Sequence, residues 1–431
     1  MALVSARPVP AREAPPPRAA RAAVLASATL TLMAAAIIAP GLPAMSEEFA
    51  GTPGGGLLVR SVLTITSLTI ALSAPVSGLI ADRVGGRSLL VSGLVLYAVS
   101  GTAGFFASDL YVLLATRAVL GAAVGGIMTA VGATITDWFE GARRASFLGL
   151  QQAFASLGGV VFLPLGGILA GVDWRAPFWL YSVSSAVAVL AFVALRERPR
   201  GGRGTGPGAG ERPLRGRPPQ RSGRGRIAGV YLLAFAATLA FYMGPTQLPY
   251  LLQDSGNGPG VVGAVVAGST LSGALGALAF PYLRRRLATT TITAVSVALL
   301  GSGWLLIGAA GTVVHVLAGM LIGGTGVGLV VPNLNLRLSE LAPDRRRGRV
   351  LSGLVTGIFL GQFLSPLVLR PLVRGAGPAA AFTWTGGAMT AAAALIGLVA
   401  VLAGRTRVSA TDPAAHRAAS ITEMNSGKGA P

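Results

Sequence analysis

From residue 22 to residue 402 the chain passes through long apolar stretches separated by short polar breaks. Each stretch stays apolar over about 20 residues or more, the length at which a helix crosses the hydrocarbon core of a bilayer. Barrel strands would be shorter and would alternate in polarity, so strands are set aside. The pattern predicts an all-α membrane protein with twelve transmembrane helices in two six-helix bundles. The first six spans cover 22–45, 57–79, 88–107, 110–135, 145–171 and 177–195. The second six cover 227–252, 261–283, 290–310, 313–331, 350–372 and 379–402.

Residues 196–226 are a run of Gly, Pro and Arg with almost nothing to bury, which predicts a disordered linker. The chain then divides into an N-tail (1–21), a first bundle (22–195), the linker (196–226), a second bundle (227–404) and a C-tail (405–431). A shift of 203 residues superposes Arg143, Arg144, Leu148, Leu157 and Gly158 on Arg346, Arg347, Leu351, Leu360 and Gly361. The same shift puts Gly121 on Gly324 and Gly125 on Gly328. The double Arg, the linker and the equal span counts together indicate an internal duplication, the architecture of an alternating-access transporter.

Composition agrees: 52% of the 431 residues are hydrophobic and 12% charged, with a mean hydropathy of +0.66, far from soluble usage. With no cysteine, disulfides, thiol nucleophiles and Cys-based metal sites are excluded. A net charge of +20 would fit a nucleic-acid partner, but the distribution argues against one. If the N-terminus is cytoplasmic, 30 of the 35 Lys and Arg fall in the tails, linker and inner loops, leaving Arg60, Arg117, Arg175, Arg370 and Arg374 outside or within spans. That asymmetry predicts both termini in the cytoplasm. The preference for Arg over Lys, with Ala and Gly abundant, is associated with high-GC bacterial genomes and so with a bacterial plasma membrane. The first apolar stretch is too long, and too often followed by others, to be a secretory signal.

The stretch GLIADRVGGRS, Gly78 to Ser88, joins spans two and three. The carbonyl end of a helix carries negative partial charge, so Asp82 is disfavoured there and calls for a partner. Candidates are Arg83, Arg87, or the amino end of a helix from the other half, such as the span opening at Val350. Gly78 and Gly85 permit close approach and a tight turn. The stretch reads as a gate latch, made when the inner side closes and broken when it opens. Arg87 serves equally well as a topology anchor.

This G-x-x-x-D-R-x-G-x-R pattern (Gly78, Asp82, Arg83, Gly85, Arg87) resembles the loop motif of the major facilitator superfamily. RAVLGAAVGG, with Arg117 and Gly121, resembles that family's fourth-span R-x-x-x-G motif. WRAPFWLY at span six and LGQFLSP in span eleven are similar to its drug:proton antiporter branch. The sequence departs at Gly86, where the family has a basic residue, and in the second half, where Arg285 stands in the place of Asp82. The resemblance covers the spans and neither tail. It implies the major facilitator fold, efflux of drug-like or amphipathic compounds by antiport, H+ as coupling ion and no cofactor. A small-molecule substrate, a surrounding lipid bilayer and a monomeric state are expected.

Arg117 lies two turns into span four, where a charge costs about 2.5 kcal/mol or more on insertion scales. The resemblance implies a role for it in proton coupling, by tuning a membrane carboxylate. None of the 15 acids lies in the middle third of a span, so that carboxylate is missing. Asp137, past the inner end of span four, and His315, near the outer end of span ten, are the remaining titratable candidates. The antiporter motif of span five appears in part as GGVVFLPLGG, with Gly166 and Gly167 one position early. Pro164 predicts a kink there, and its glycines suit coupling and helix packing equally. The coupling candidates are therefore Arg117, Gly121, Asp137, Pro164 and Gly167.

FYMGPTQLPY in span seven sets Phe241, Tyr242, Thr246, Gln247 and Tyr250 around two prolines expected to break the helix, which marks a cavity. Gln151, Phe154 and Gly158 share a face of span five, and Gln362 projects from span eleven. Uncharged amides with aromatics suit an amphipathic organic solute. An importer or exporter of a sugar or organic acid shares every feature up to this cavity, and an inward-facing Arg117 would favour an anion. A membrane-embedded enzyme or metal site would need acids or histidines clustered at one depth, and the sequence has none. The absence of a G-x-x-x-x-G-K-[ST] loop argues against direct drive by ATP.

Overall fold

The computed structural model describes residues 16–195, 223–342 and 347–409. The N-tail before residue 16, the linker to residue 222 and the C-tail after 409 lie outside the described residues. Among the described residues every regular element is helical, and eleven stretches are long and apolar enough to cross a membrane. The first five are α1 (Arg18–Glu48), α2 (Gly55–Val84), α3 (Gly86–Phe106), α4 (Leu110–Trp138) and α5 (Gly141–Ala170). The next five are α6 (Ala176–Ala194), α7 (Gly223–Asp254), α8 (Pro259–Arg286), α9 (Thr289–Gly308) and α10 (Val313–Leu341). The last stretch, Arg347–Ser409, has 63 residues. At 1.5 Å per residue that is about 95 Å, three bilayer cores in length. It divides at Gly377, whose φ of 81° suits glycine, into α11 (347–376) and α12 (378–409). All twelve predicted spans are thus present. Helix α7 begins inside the predicted linker, at Gly223, and α12 runs on to Ser409.

Prolines act differently from expectation in two places. Helix α7 runs unbroken through Pro245 and Pro249, and α5 likewise continues through Pro164. Each proline forfeits one hydrogen bond, and its neighbours keep theirs because the bilayer interior offers no water to compete. The break falls instead in α1, read from the sequence as one span. Regular helix ends at Ala36, a 3-10 turn covers Ala39–Gly41, and helix resumes over Leu42–Glu48. Pro40 and Pro43, three residues apart, each lack an N–H donor there, and Trp174 packs against Gly41 between them.

The duplication is visible in packing detail. Helix α4 crosses α2 where a Cβ on Gly121 would collide with Thr66 and Thr69, and one on Gly125 would collide with Ser73 and touch the Ile70 carbonyl. Helix α10 crosses α8 where Gly324 faces Ser269 and Ser272, and Gly328 faces Gly273. Residues 66, 69 and 70 become 269, 272 and 273 under the 203-residue shift, so both bundles are built on the same crossing. Small residues let these backbones approach where no solvent drives helices together. Gly121→Leu and Gly324→Leu are each expected to lower stability by about 1–3 kcal/mol or more through overpacking, measurable as a fall in melting temperature in detergent.

Each bundle has its own core, one gathered around Tyr97, Phe178 and Tyr181, the other around Trp304 and Phe382. The bundles meet along two seams, α5 against α8 and α2 against α11, and α1 also touches α7 near its far end. Alternation of the spans puts the Asp82 loop and both ends of the described chain on one side, the tail side, with the α1–α2 and α7–α8 loops on the other, the far side.

Candidate functional site

At the far side the bundles close on each other, α5 on α8 and α1 on α7. A Cβ on Gly167 of α5 would lie 2.6 Å from the Pro259 carbonyl and 3.2 Å from the Cα atoms of Gly260 and Gly263 of α8. Gly166 packs against Ile37 at the α1 break. The Ser46 and Tyr250 hydroxyls share a hydrogen bond of 2.7 Å, and Gln253 Nε2 donates to Glu47 Oε1 at 3.0 Å.

Contact continues to mid-depth. Gly159 faces Thr270, and the Ser67 hydroxyl donates to Gln362 Oε1 at 2.7 Å. Tyr242 reaches from α7 into the core of the first bundle, its hydroxyl beside Ser67 and without a partner of hydrogen-bond geometry. Gln247 is buried with Oε1 unpartnered. Such orphaned groups are costly unless something fills their valences.

Toward the tail side the seam helices lose contact. A Cβ on Gly78 of α2 or Gly149 of α5 would meet nothing within 4 Å, and Gln152, Ser352 and Thr356 are exposed. Asp82 is exposed, with no hydrogen bond or ion pair among the described residues. Arg87 does not face it, because its guanidinium donates to the Phe192 carbonyl at 2.8 Å and covers the Phe192 ring at 4.9 Å. Gly85 makes the tight turn with φ of 90°, whereas Gly78 makes no close approach. Asp137, also exposed, does have an interaction partner.

Arg117 is fully buried inside the first bundle, away from both seams. One Nη donates to the carbonyls of Ser100 at 2.9 Å and Gly101 at 2.8 Å, and the guanidinium lies 4.8 Å from the Phe178 ring and 4.9 Å from Tyr181. These carbonyls belong to the last turns of α3, where the Gly104 N–H has turned to Thr102 and left Ser100 without its usual donor. The carbonyl end of a helix carries negative partial charge, so it takes the place of the missing carboxylate as counter-charge. Arg117 therefore does not face a solute path, which removes the argument for an anionic solute.

The structure redistributes the cavity candidates. Tyr242 and Gln362 stand at or beside the mid-depth seam, whereas Gln247 is buried on α7. Gln151 and Phe154 are half-buried, and Phe154 packs on the first core. Phe241 turns away and stacks on Trp304 at 6.1 Å within the second bundle. Thr246 donates to the Tyr242 carbonyl of its own helix at 3.0 Å, and Tyr250 belongs to the far seal. Ser67 was not visible in the sequence. Its hydroxyl resembles those of Thr69 and Ser73, which bond back to their own helix. His315 bonds Thr312 at the far end of α10, in the open. Among the described residues no three His, Cys, Asp or Glu are placed to hold a metal ion.

Two bundles of six, sealed on one side and parted on the other, match a known pattern. The family model described as Major Facilitator Superfamily matches residues 24–366 and 230–427. The chain belongs to the major facilitator superfamily. Among curated members, it is 27% identical over 161 residues to the multidrug transporter protein MdtP of Bacillus subtilis, 37% of this chain and 29% of that protein. It is 27% identical over 165 residues to the quinolone resistance protein NorA of Staphylococcus aureus, 38% of this chain and 41% of that protein. The chain thus spans less than half the length of these relatives. The crystal structure of a D-xylose-proton symporter superposes with a TM-score of 0.70 at 13% identity, covering 88% of this chain and 96% of the other, a likeness of fold.

Proposed function

We propose that this major facilitator protein is a secondary active transporter that exports small amphipathic organic compounds from a bacterial cell by alternating access, with H+ as coupling ion. The observation that carries the reading is the pairing of a shut far side with an open tail side, the seam between them floored by uncharged polar groups. Gln362, Ser67 and Tyr242 offer hydrogen bonds without charge, which suits a neutral or weakly basic amphiphile better than an anion. The Arg-rich loops favour a cytoplasmic tail side; on that orientation the cavity opens inward, and the unpaired Asp82 fits an inner latch that is undone. The likeness to named multidrug and quinolone-resistance proteins supports export of drug-like compounds. On this reading the protein acts as a transporter and not as an enzyme, and works as a monomer.

The test is flux of a fluorescent lipophilic cation and of a sugar in proteoliposomes under imposed pH or sodium gradients. Transport of the cation driven by the pH gradient alone is expected. Sugar transport without cation transport would overturn the assignment of substrate, and drive by sodium would overturn that of the ion. Gln362→Ala is expected to raise KM several-fold, since it removes a polar partner at the floor of the path.

A further inference from the structure

The far seal is held by two different means. At Gly167 and Gly263 backbone lies on backbone. Beside it, three polar contacts from the first bundle converge on one turn of α7. Ser46 bonds Tyr250, Glu47 accepts from Gln253, and the Arg60 guanidinium sits 4.4 Å from the centroid of the Tyr250 ring. Glu48, next in the chain, turns the other way. Its Oε1 accepts from Arg175 at 3.0 Å and its Oε2 from Trp174 at 3.4 Å, both in the first bundle. Adjacent carboxylates therefore bind opposite bundles. The segment that carries them, Leu42–Glu48, is set off from the rest of α1 by the break at residues 37–41, a place able to absorb changes in backbone angle.

We propose that Glu47 and Tyr250 are the releasable latch of the far mouth, and that Glu48 is the anchor keeping the latch on the first bundle while the second swings away. The inference rests on the alternating-access reading. The contact between Glu47 and Gln253 is exposed and that of Tyr250 half-buried, so water replaces both at modest cost when the mouth opens. The contacts of Glu48 stay within one bundle and have no reason to break.

The cysteine-free chain allows the test without removing native thiols. Spin labels at Gly51→Cys and Ser255→Cys, on the two exposed far loops, report opening of the mouth as a longer distance in the full-length protein in nanodiscs. Glu47→Ala with Tyr250→Phe is expected to raise the ratio of long to short distances roughly 5- to 20-fold. Glu47→Gln keeps a neutral hydrogen bond and is expected to fall between that variant and wild type. Glu48→Ala is expected to leave the ratio within about twofold of wild type while lowering the melting temperature. An unchanged ratio in the double variant, at wild-type melting temperature, overturns the latch, and equal opening in Glu48→Ala overturns the division of roles. Opening of the mouth in the double variant, with no flux of any solute by the wild-type protein, would leave the latch standing and bring down the transport reading instead.

Discussion

Arg117→Ala is expected to lower stability by about 2–5 kcal/mol, because it empties a buried site lined by Phe178, Tyr181 and the last turns of α3. Arg117→Met separates volume from charge. It fills most of the space yet strips a charged donor from two buried carbonyls, and is expected to cost about 1.5–3 kcal/mol. The repeat supplies a natural comparison, since the 203-residue shift puts Met320 at this position, packed beside Gly244 and fully buried. Melting curves of the purified variants in detergent decide it. Methionine as stable as arginine would mean that the capping of α3 contributes nothing, and would return Arg117 to a purely functional role. If Arg117 instead couples protons, the Met variant should transport without responding to a pH gradient.

Gly167→Leu is expected to act on the equilibrium between states. With the far mouth shut, a side chain there meets the Pro259 carbonyl and the Cα atoms of Gly260 and Gly263, all backbone and unable to rotate aside. Overpacking of this kind costs about 1–3 kcal/mol, and it applies only to the closed arrangement. The ratio of far-open to far-closed molecules should rise roughly 5- to 150-fold, read from labels across the far loops. Gly149→Leu is the control, since a side chain there meets open space at the tail side. A Gly167→Leu protein that stays closed with wild-type melting temperature would show that the far seam does not gate.

Residue order alone discloses the number of spans, the duplication, the turn at Gly85 and the placement of a cation within span four. All are properties of length, spacing and charge along one dimension, and the bilayer enforces them: 20 apolar residues must cross, and a guanidinium among them must find something polar. Which side of a helix looks at the seam, the core or the lipid is another matter, because all three are apolar and the sequence shows no amphipathic stripe to tell them apart. That is why Phe241, Thr246 and Tyr250 looked like companions of Tyr242, when one stacks on Trp304, one bonds its own helix and one closes the far mouth. It is also why Glu47 and Glu48 look alike in the chain. Only packing in three dimensions sends one to each bundle, settles the charge of Arg117 on the end of α3, and shuts one mouth while the other stands open.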